Sequence, residues 1–230
     1  MLTWDFAYLN TEETMERTIT VQGKGTLSVP PDLIQVELNL ETKDPAYAEM
    51  IRKTDERLSR LREALEGLGY PETELKTLHY SVYPEYASRA DDDGEYREYF
   101  TGFCCRHGLQ LSFPLSMEEL DRVLSAVFSA GADPGLQIRF TVSDPDALRS
   151  ELLAAASRDA RSRAEALCAA SGVKLGDLLQ IRSGDAEPGL YSPTMYDVAE
   201  AAVFGKSNAR SFVPDDIKTS ETALFVWAIE

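Results

Sequence analysis

The sequence predicts an α+β fold in which antiparallel-rich, mixed sheets carry long helices on one face. Three observations lead there. Strand-like segments come in pairs joined by turns, long helical stretches follow them, and the strands alternate apolar and polar residues instead of reading as continuous apolar runs. The expected order is two strands and a helix, two strands and a helix, one strand and a helix, then two closing strands.

Met1 to Glu16 shows no periodicity and is expected to be a flexible leader, with structure starting near Arg17 in a domain covering 17–230. From Thr18, the residues Ile19, Val21, Gly23, Gly25, Leu27 and Val29 share one side of a strand. Pro30 and Pro31 turn the chain, and Ile34, Val36, Leu38 and Leu40 line the inner side of a second strand, so the two are expected to form a hairpin. Asp44 is placed as the cap and Pro45 as the first residue of a helix whose stripe is Tyr47, Met50, Ile51, Leu58, Leu61, Leu65 and Leu68. Glu49 with Lys53 and Glu56 with Arg60 are spaced to pair on its wet side.

Leu75 to Tyr86 and Tyr96 to Phe113 read as a long hairpin around the acidic turn Asp91-Asp92-Asp93-Gly94. Ser116 caps a helix carrying Leu120, Val123, Leu124 and Val127, and a strand with Leu136, Ile138, Phe140 and Val142 follows. Asp144 and Pro145 open the longest helix, with Leu148, Leu152, Ala156, Ala160, Ala164 and Leu167 on its stripe. So many small residues predict a close approach to its partner. Strands near Asp177 to Arg182 and Ile217 to Ile229 close the chain. The 183–216 segment between them is rich in glycine and proline and is expected to be disordered or partly ordered, with one short helix at Met195 to Phe204.

Composition excludes several classes. A net charge of −16 repels nucleic-acid phosphates and anionic lipid surfaces, so no nucleic-acid partner is expected. Three cysteines, two of them adjacent, make no disulfide framework and favour a reducing compartment. No run of about eighteen apolar residues is present, and MLTWDFAYLN has no basic segment before an apolar one, so neither a membrane span nor a secretory signal is expected and the placement is cytoplasmic.

No motif names a reaction. Gly23-Lys24-Gly25 falls in a strand and lacks a following helix, so its glycines read as a bulge or close strand contact rather than a phosphate loop. Gly205-Lys206-Ser207 ends like a phosphate-binding loop, but Glu200 stands where its first glycine belongs. Cys105 and His107 share a strand face with Phe103, Leu109, Leu111 and Phe113, while Cys104, Arg106 and Gln110 share the other. That arrangement gives no zinc site, and leaves Cys104 as the more exposed thiol, where Arg106 could favour its thiolate in a redox role. Asp91, Asp92, Asp93 and Glu95 lack the glutamate that closes a calcium loop. His79 is expected to be exposed, with no nucleophile motif beside it. No catalytic, metal or cofactor residue is assigned and no cofactor is expected.

Two features point to protein contacts. Tyr80, Tyr83, Tyr86, Tyr96, Tyr99 and Phe100 cluster in the long hairpin, whose tip should extend beyond its sheet, either as an interface or as stabilising cross-strand pairs. In the last strand, Ala223, Phe225, Trp227 and Ile229 are apolar, and so are Leu224, Val226 and Ala228 on the opposite face. Such a strand is either central in its sheet or covered by a partner.

Six pieces in order resemble the SIMPL-domain family of unknown function, which includes the YggE-like and periplasmic immunogenic proteins. They are Ile19-Thr-Val-Gln-Gly-Lys-Gly25, Val29-Pro-Pro-Asp32, Leu75-Lys-Thr-Leu-His-Tyr-Ser-Val-Tyr-Pro-Glu-Tyr86, Ala130-Gly131-Ala132, Ile138-Arg-Phe140, and Ala156 to Gly176 with Asp159, Arg163, Gly172 and Leu175. The resemblance implies a two-part α+β architecture, a tendency of members to form homo-oligomers, no established catalytic residues, and roles in interaction, signalling or stress protection. This chain departs by lacking the export signal of many relatives and by Pro214-Asp215 where Pro-Gly is usual. The expected function is that of a non-enzymatic, self-associating or protein-binding molecule using Tyr83, Tyr86, Tyr96, Tyr99, Phe225 and Trp227, with homo-oligomers or another protein as partner. The alternative is a ligand-binding or hydrolytic domain with 183–216 as a lid.

Overall fold

A computed structural model describes residues 17–90, 96–184, 189–196 and 212–230. The elements are β1 (Thr18–Val29), β2 (Leu33–Asp44), α1 (Tyr47–Glu66), a 3-10 turn (Glu72–Glu74), β3 (Lys76–Ala90), β4 (Tyr96–Pro114), α2 (Met117–Ser129), β5 (Gly135–Thr141), α3 (Pro145–Ser171), β6 (Leu175–Ser183) and β7 (Ile217–Ile229). The fold is α+β with two antiparallel sheets, ordered β1-β7-β6 and β3-β4-β2-β5. The chain divides into two compact units, one made of the stretch ending at Leu27 with Asp146–Gly189 and Thr219–Glu230, the other of Ser28–Pro145 with Leu190–Lys218.

The expected β1–β2 hairpin does not form, because β1 and β2 belong to different sheets. Turn chemistry explains this. Tight hairpin turns need positive φ at a central residue, and proline fixes φ near −65°, so Pro30-Pro31 cannot close one. The chain is held in extended form instead. Asp32 donates its N–H to the Thr141 carbonyl (3.0 Å), and its carboxylate accepts from the Ser143 N–H (2.6 Å) and hydroxyl (2.8 Å).

In the larger unit β2 sits between β4 and β5, with Leu38 opposite both Leu109 and Leu136. The period-two pattern puts Ile34, Val36, Leu38 and Leu40 on one face, where they are buried with Leu109, Leu111, Ile138 and Phe140 under α1 and α2. Ser116 caps α2 by accepting from the Glu119 N–H (3.2 Å), and the four apolar residues expected on its stripe are all buried. Helix α1 begins two residues later than expected. Asp44 ends β2 and its carboxylate takes the Ala46 N–H (2.8 Å), leaving Ala46 as a cap with no side-chain bond. The ion pairs also differ from the spacing rule: Arg52 bridges Glu49 and Glu56, Lys53 reaches Asp44 (2.6 Å), and Arg60 donates to the Gly131 carbonyl (3.0 Å).

In the other unit α3 packs on β1 and β7 through Leu148, Leu152, Ala156, Ala160, Ala164 and Cys168. Cys168, four residues beyond Ala164, ends the stripe where Leu167 was expected, and Leu167 faces outward. The small residues let the strand come close. A methyl group added at Gly23 would lie 2.0 Å from the Ala156 carbonyl oxygen, and one at Gly25 would lie 2.0 Å from that of Leu152. The close-contact reading of these glycines holds. The Lys24 N–H adds a bond to Asp159 (2.8 Å), the largest cause of a carboxyl pKa below the usual range, and Asp159 also pairs with Arg163 (3.0 Å).

Within the 183–216 segment, the chain at Leu190–Ser192 and Phe212 lies against β5. Thr141 bridges Tyr191, Ser192 donates to the Phe140 carbonyl (2.9 Å), and Phe212 packs on Phe140 and Tyr196 at 5.7 and 5.4 Å between centroids. This strap covers the edge of the sheet. Of the short helix expected at Met195 to Phe204, Met195 and Tyr196 are not helical and the rest lies outside the described residues. So do the leader, the acidic turn at 91–95 and Gly205-Lys206-Ser207.

Candidate functional site

The β3–β4 hairpin outruns its sheet. β2 accompanies β4 only as far as Phe103, yet β3 and β4 continue pairing through Tyr86 with Phe100, Ala87 with Tyr99 and Ala90 with Tyr96. Among the described residues the last part is therefore a two-stranded ribbon with no neighbouring strand on either edge. A register shift at Glu85/Tyr86 marks the departure, and there Gly102 has φ +149 and lies so close to the β2–α1 corner that a Cβ would stand 2.7 Å from the Asp44 carbonyl oxygen.

Aromatic rings line the helix-side face of this ribbon. Tyr47 meets Phe103 at 5.5 Å, Phe103 meets Phe100 at 5.1 Å, and Phe100 meets Tyr86 at 5.9 Å, all edge-on. Edge-on packing satisfies the ring quadrupoles along the row. Solvent still reaches much of it: Tyr86 is 58% exposed and Tyr96 79%, and Tyr99 is exposed on the opposite face. Tyr83 differs. It stands opposite Cys104, under the Arg106 guanidinium (5.3 Å to the ring centre), and its hydrogen bond to Cys104 is the main cause that raises its phenol pKa.

The structure brings Tyr47, Tyr86, Phe100 and Phe103 together, whereas Phe225 and Trp227 belong to the other unit. Those two stack at 5.5 Å and are only 3% and 6% exposed beneath α3, with Val21, Ala160 and Ala164. β7 is the central strand between β1 and β6, and its Phe225 and Trp227 are buried against α3, so they are core residues rather than contact residues, while Leu224, Val226 and Ala228 on its other face are half-buried. On β6 of that unit Leu178, Leu179 and Ile181 remain exposed. Leu178 stands opposite Trp227 and Ile181 opposite Phe225, beyond the width that α3 covers. Sequence reading missed this edge. The signal available was three apolar residues in a strand with no helix left to cover them.

The thiols and imidazoles are also placed. Cys104 and Cys105 point to opposite faces as expected, but both are fully buried, so Cys104 is not the exposed thiol that the redox reading needs, and the charge of Arg106 is engaged by Glu41 (2.9 Å). His107 is buried, and its Nε2 lies 3.0 Å from the Thr77 hydroxyl. His79 lies over Gly108, where a Cβ would come 2.1 Å from the ring. Among the described residues no three His, Cys, Asp or Glu side chains converge to hold a metal ion, and no helix is long and apolar enough to cross a membrane.

One residue that no motif announced organises this unit. Arg57, on α1, donates to the Ala132 carbonyl (2.8 Å), the Asp133 carbonyl (2.9 Å) and the Thr42 hydroxyl (3.0 Å). It ties the helix to β2 and to the turn before β5, where Asp133 holds a φ of +48.

Comparison with known proteins gives a family and two relatives. The SIMPL family model, described as a protein of unknown function, matches residues 19–227. Two proteins named "26 kDa periplasmic immunogenic protein", from Brucella melitensis biotype 1 and Brucella abortus (strain S19), are each 22% identical over 176 residues, covering 76% of this chain and 70% of theirs.

Proposed function

The chain belongs to the SIMPL family of proteins of unknown function, and from that premise we propose that it acts through contacts between polypeptides and not by chemical turnover. One observation carries this reading: the exposed aromatic row on a ribbon that continues past its sheet. Rings already ordered by edge-on packing lose little side-chain entropy when a partner covers them, and each buries a large apolar area. Both edges of the ribbon offer unpaired backbone groups to an added strand. The outer strand β6, with Ile181 56% exposed, gives the other unit a second apolar edge of the kind that natural sheets usually blunt. The partner we favour is a further copy of the chain. The relatives' names include "periplasmic", which supports an exported setting in place of the cytoplasmic one expected from the first residues.

Hydrogen–deuterium exchange at low and high protein concentration tests the surface. Amides of Tyr86–Arg89 and Tyr96–Phe100 are expected to gain protection as concentration rises, while those of β2, already paired on both sides, stay constant. Ribbon exchange independent of concentration would refute the proposal for this surface.

A further inference from the structure

The two histidines of this chain occupy neighbouring rungs of the β3–β4 ladder: His79 is opposite Gly108 and Tyr80 is opposite His107, directly after the register shift between Thr77 and His79. The ladder is irregular there, and β3 is the outer strand of its sheet, paired on one side by β4. Polar ties there include the Tyr80 hydroxyl with Cys105 and two others. Arg62 of α1 pairs with Glu72 of the 3-10 turn (2.6 Å), and His107 Nε2 meets the Thr77 hydroxyl (3.0 Å). The His107 ring is 6% exposed, Tyr80 packs edge-on against it at 5.0 Å, and its Nδ1 is buried with no hydrogen-bond partner.

We propose that His107 is an acid-sensitive latch, which holds the start of β3 on β4 while the imidazole is neutral and releases that stretch when the ring is protonated.

The argument starts from what a proton would meet. With the neutral ring in its Nε2–H form the one donor is satisfied by the Thr77 hydroxyl, and Nδ1 is a bare acceptor. An imidazolium has two N–H donors, and the second, at Nδ1, would point into a buried place with no acceptor. The charged groups around the ring do not compensate. Arg62 on α1 is a cation and opposes the charge, as does His79 on β3 when protonated, whereas Asp55 on α1 favours it. Its cross-strand partners, Leu40 on β2 and Tyr80 on β3, carry no charge at neutral pH. Burial first and Arg62 second lower the His107 pKa.

The sign follows from proton counting. With the folded-state pKa below the unfolded value of about 6.5, the unfolded or locally opened form binds the proton more tightly. The contribution of His107 to stability is complete above about pH 6.5, falls as the pH drops from there through the folded-state value, and is constant below it. Because β3 also carries Tyr80 and Tyr86, its release would alter the aromatic surface on acidification. The latch itself does not depend on that surface having a partner.

The test is amide exchange of the full chain between about pH 7.5 and about pH 5, corrected for intrinsic exchange, in the wild type, His107→Gln and His79→Gln. Glutamine can keep a bond to Thr77 but cannot titrate. Leu78 to Ser81 are expected to lose protection relative to β2 on acidification in the wild type and in His79→Gln, and to keep it in His107→Gln. Equal acid sensitivity in His107→Gln, or β3 protection that tracks β2 in the wild type, would overturn the latch. If His107→Gln does not fold, the NMR titration of His107 in the wild type decides: a midpoint well below about 6.5 supports the proposal, and one at or above it contradicts it.

Discussion

Gly25→Ala is expected to destabilise the unit built on α3 by about 3 kcal/mol or more, and Gly23→Ala by a similar amount. The reason is steric. Each added methyl would lie 2.0 Å from a carbonyl oxygen of α3, that of Leu152 or of Ala156, well inside van der Waals contact. The obstacle is helix backbone, which cannot rotate aside as a side chain can, so α3 must shift away from β1. That shift separates Ala160 and Ala164 from Val21 and Phe225, residues that touch only because they are small or lie at close approach. Thermal or urea unfolding checks the size of the effect, and exchange should place it in β1, α3 and β7. Gly67→Ala is the control: its Cβ would meet nothing nearer than 3.4 Å, and its φ of −60 suits alanine, so this variant should be neutral or slightly stabilised.

Arg57→Ala is expected to cost the larger unit about 2 to 4 kcal/mol, with Arg57→Lys recovering little of it. The guanidinium joins three elements by donating to two carbonyls of the turn at Ala132 and Asp133 and to the Thr42 hydroxyl. Alanine leaves these acceptors without their donor in a part-buried place, and a lysine ammonium cannot reproduce the planar fork that reaches them together. Urea midpoints of the three proteins measure this. A loss below about 0.5 kcal/mol for Arg57→Ala would mean that water replaces the guanidinium at no cost.

Both residues show what the sequence carries and what it does not. Alternation marked the inner face of β2 correctly, because a half-buried strand has a strict period of two, and Ser116 marked the start of α2 through its own local bond. The small residues of α3 announced a close approach, and the partner glycines were visible at 23 and 25, although nothing local linked the two. Adjacency in sequence suggests a β1–β2 hairpin, but the geometry that Pro30-Pro31 imposes sends the two strands to different sheets. Arg57 was invisible because the Ala132 carbonyl it serves is 75 positions away. In the candidate surface the hairpin tyrosines were legible from composition and turn signals. Phe225 and Trp227 were not separable from them, since their burial depends on α3 crossing β7, and the exposed edge on β6 emerges only once the sheet order is known.

Sedimentation velocity over a wide concentration range, on the wild type beside Tyr86→Ser/Phe100→Ser and Ile181→Lys, tests the central claim most directly. The wild type is expected to shift from monomer to a defined larger species. At least one of the two altered surfaces should weaken that shift by tenfold or more, about 1.4 kcal/mol, without loss of secondary structure. A wild type that stays monomeric at the highest concentration, or folded variants that associate as well as it does, would contradict the account.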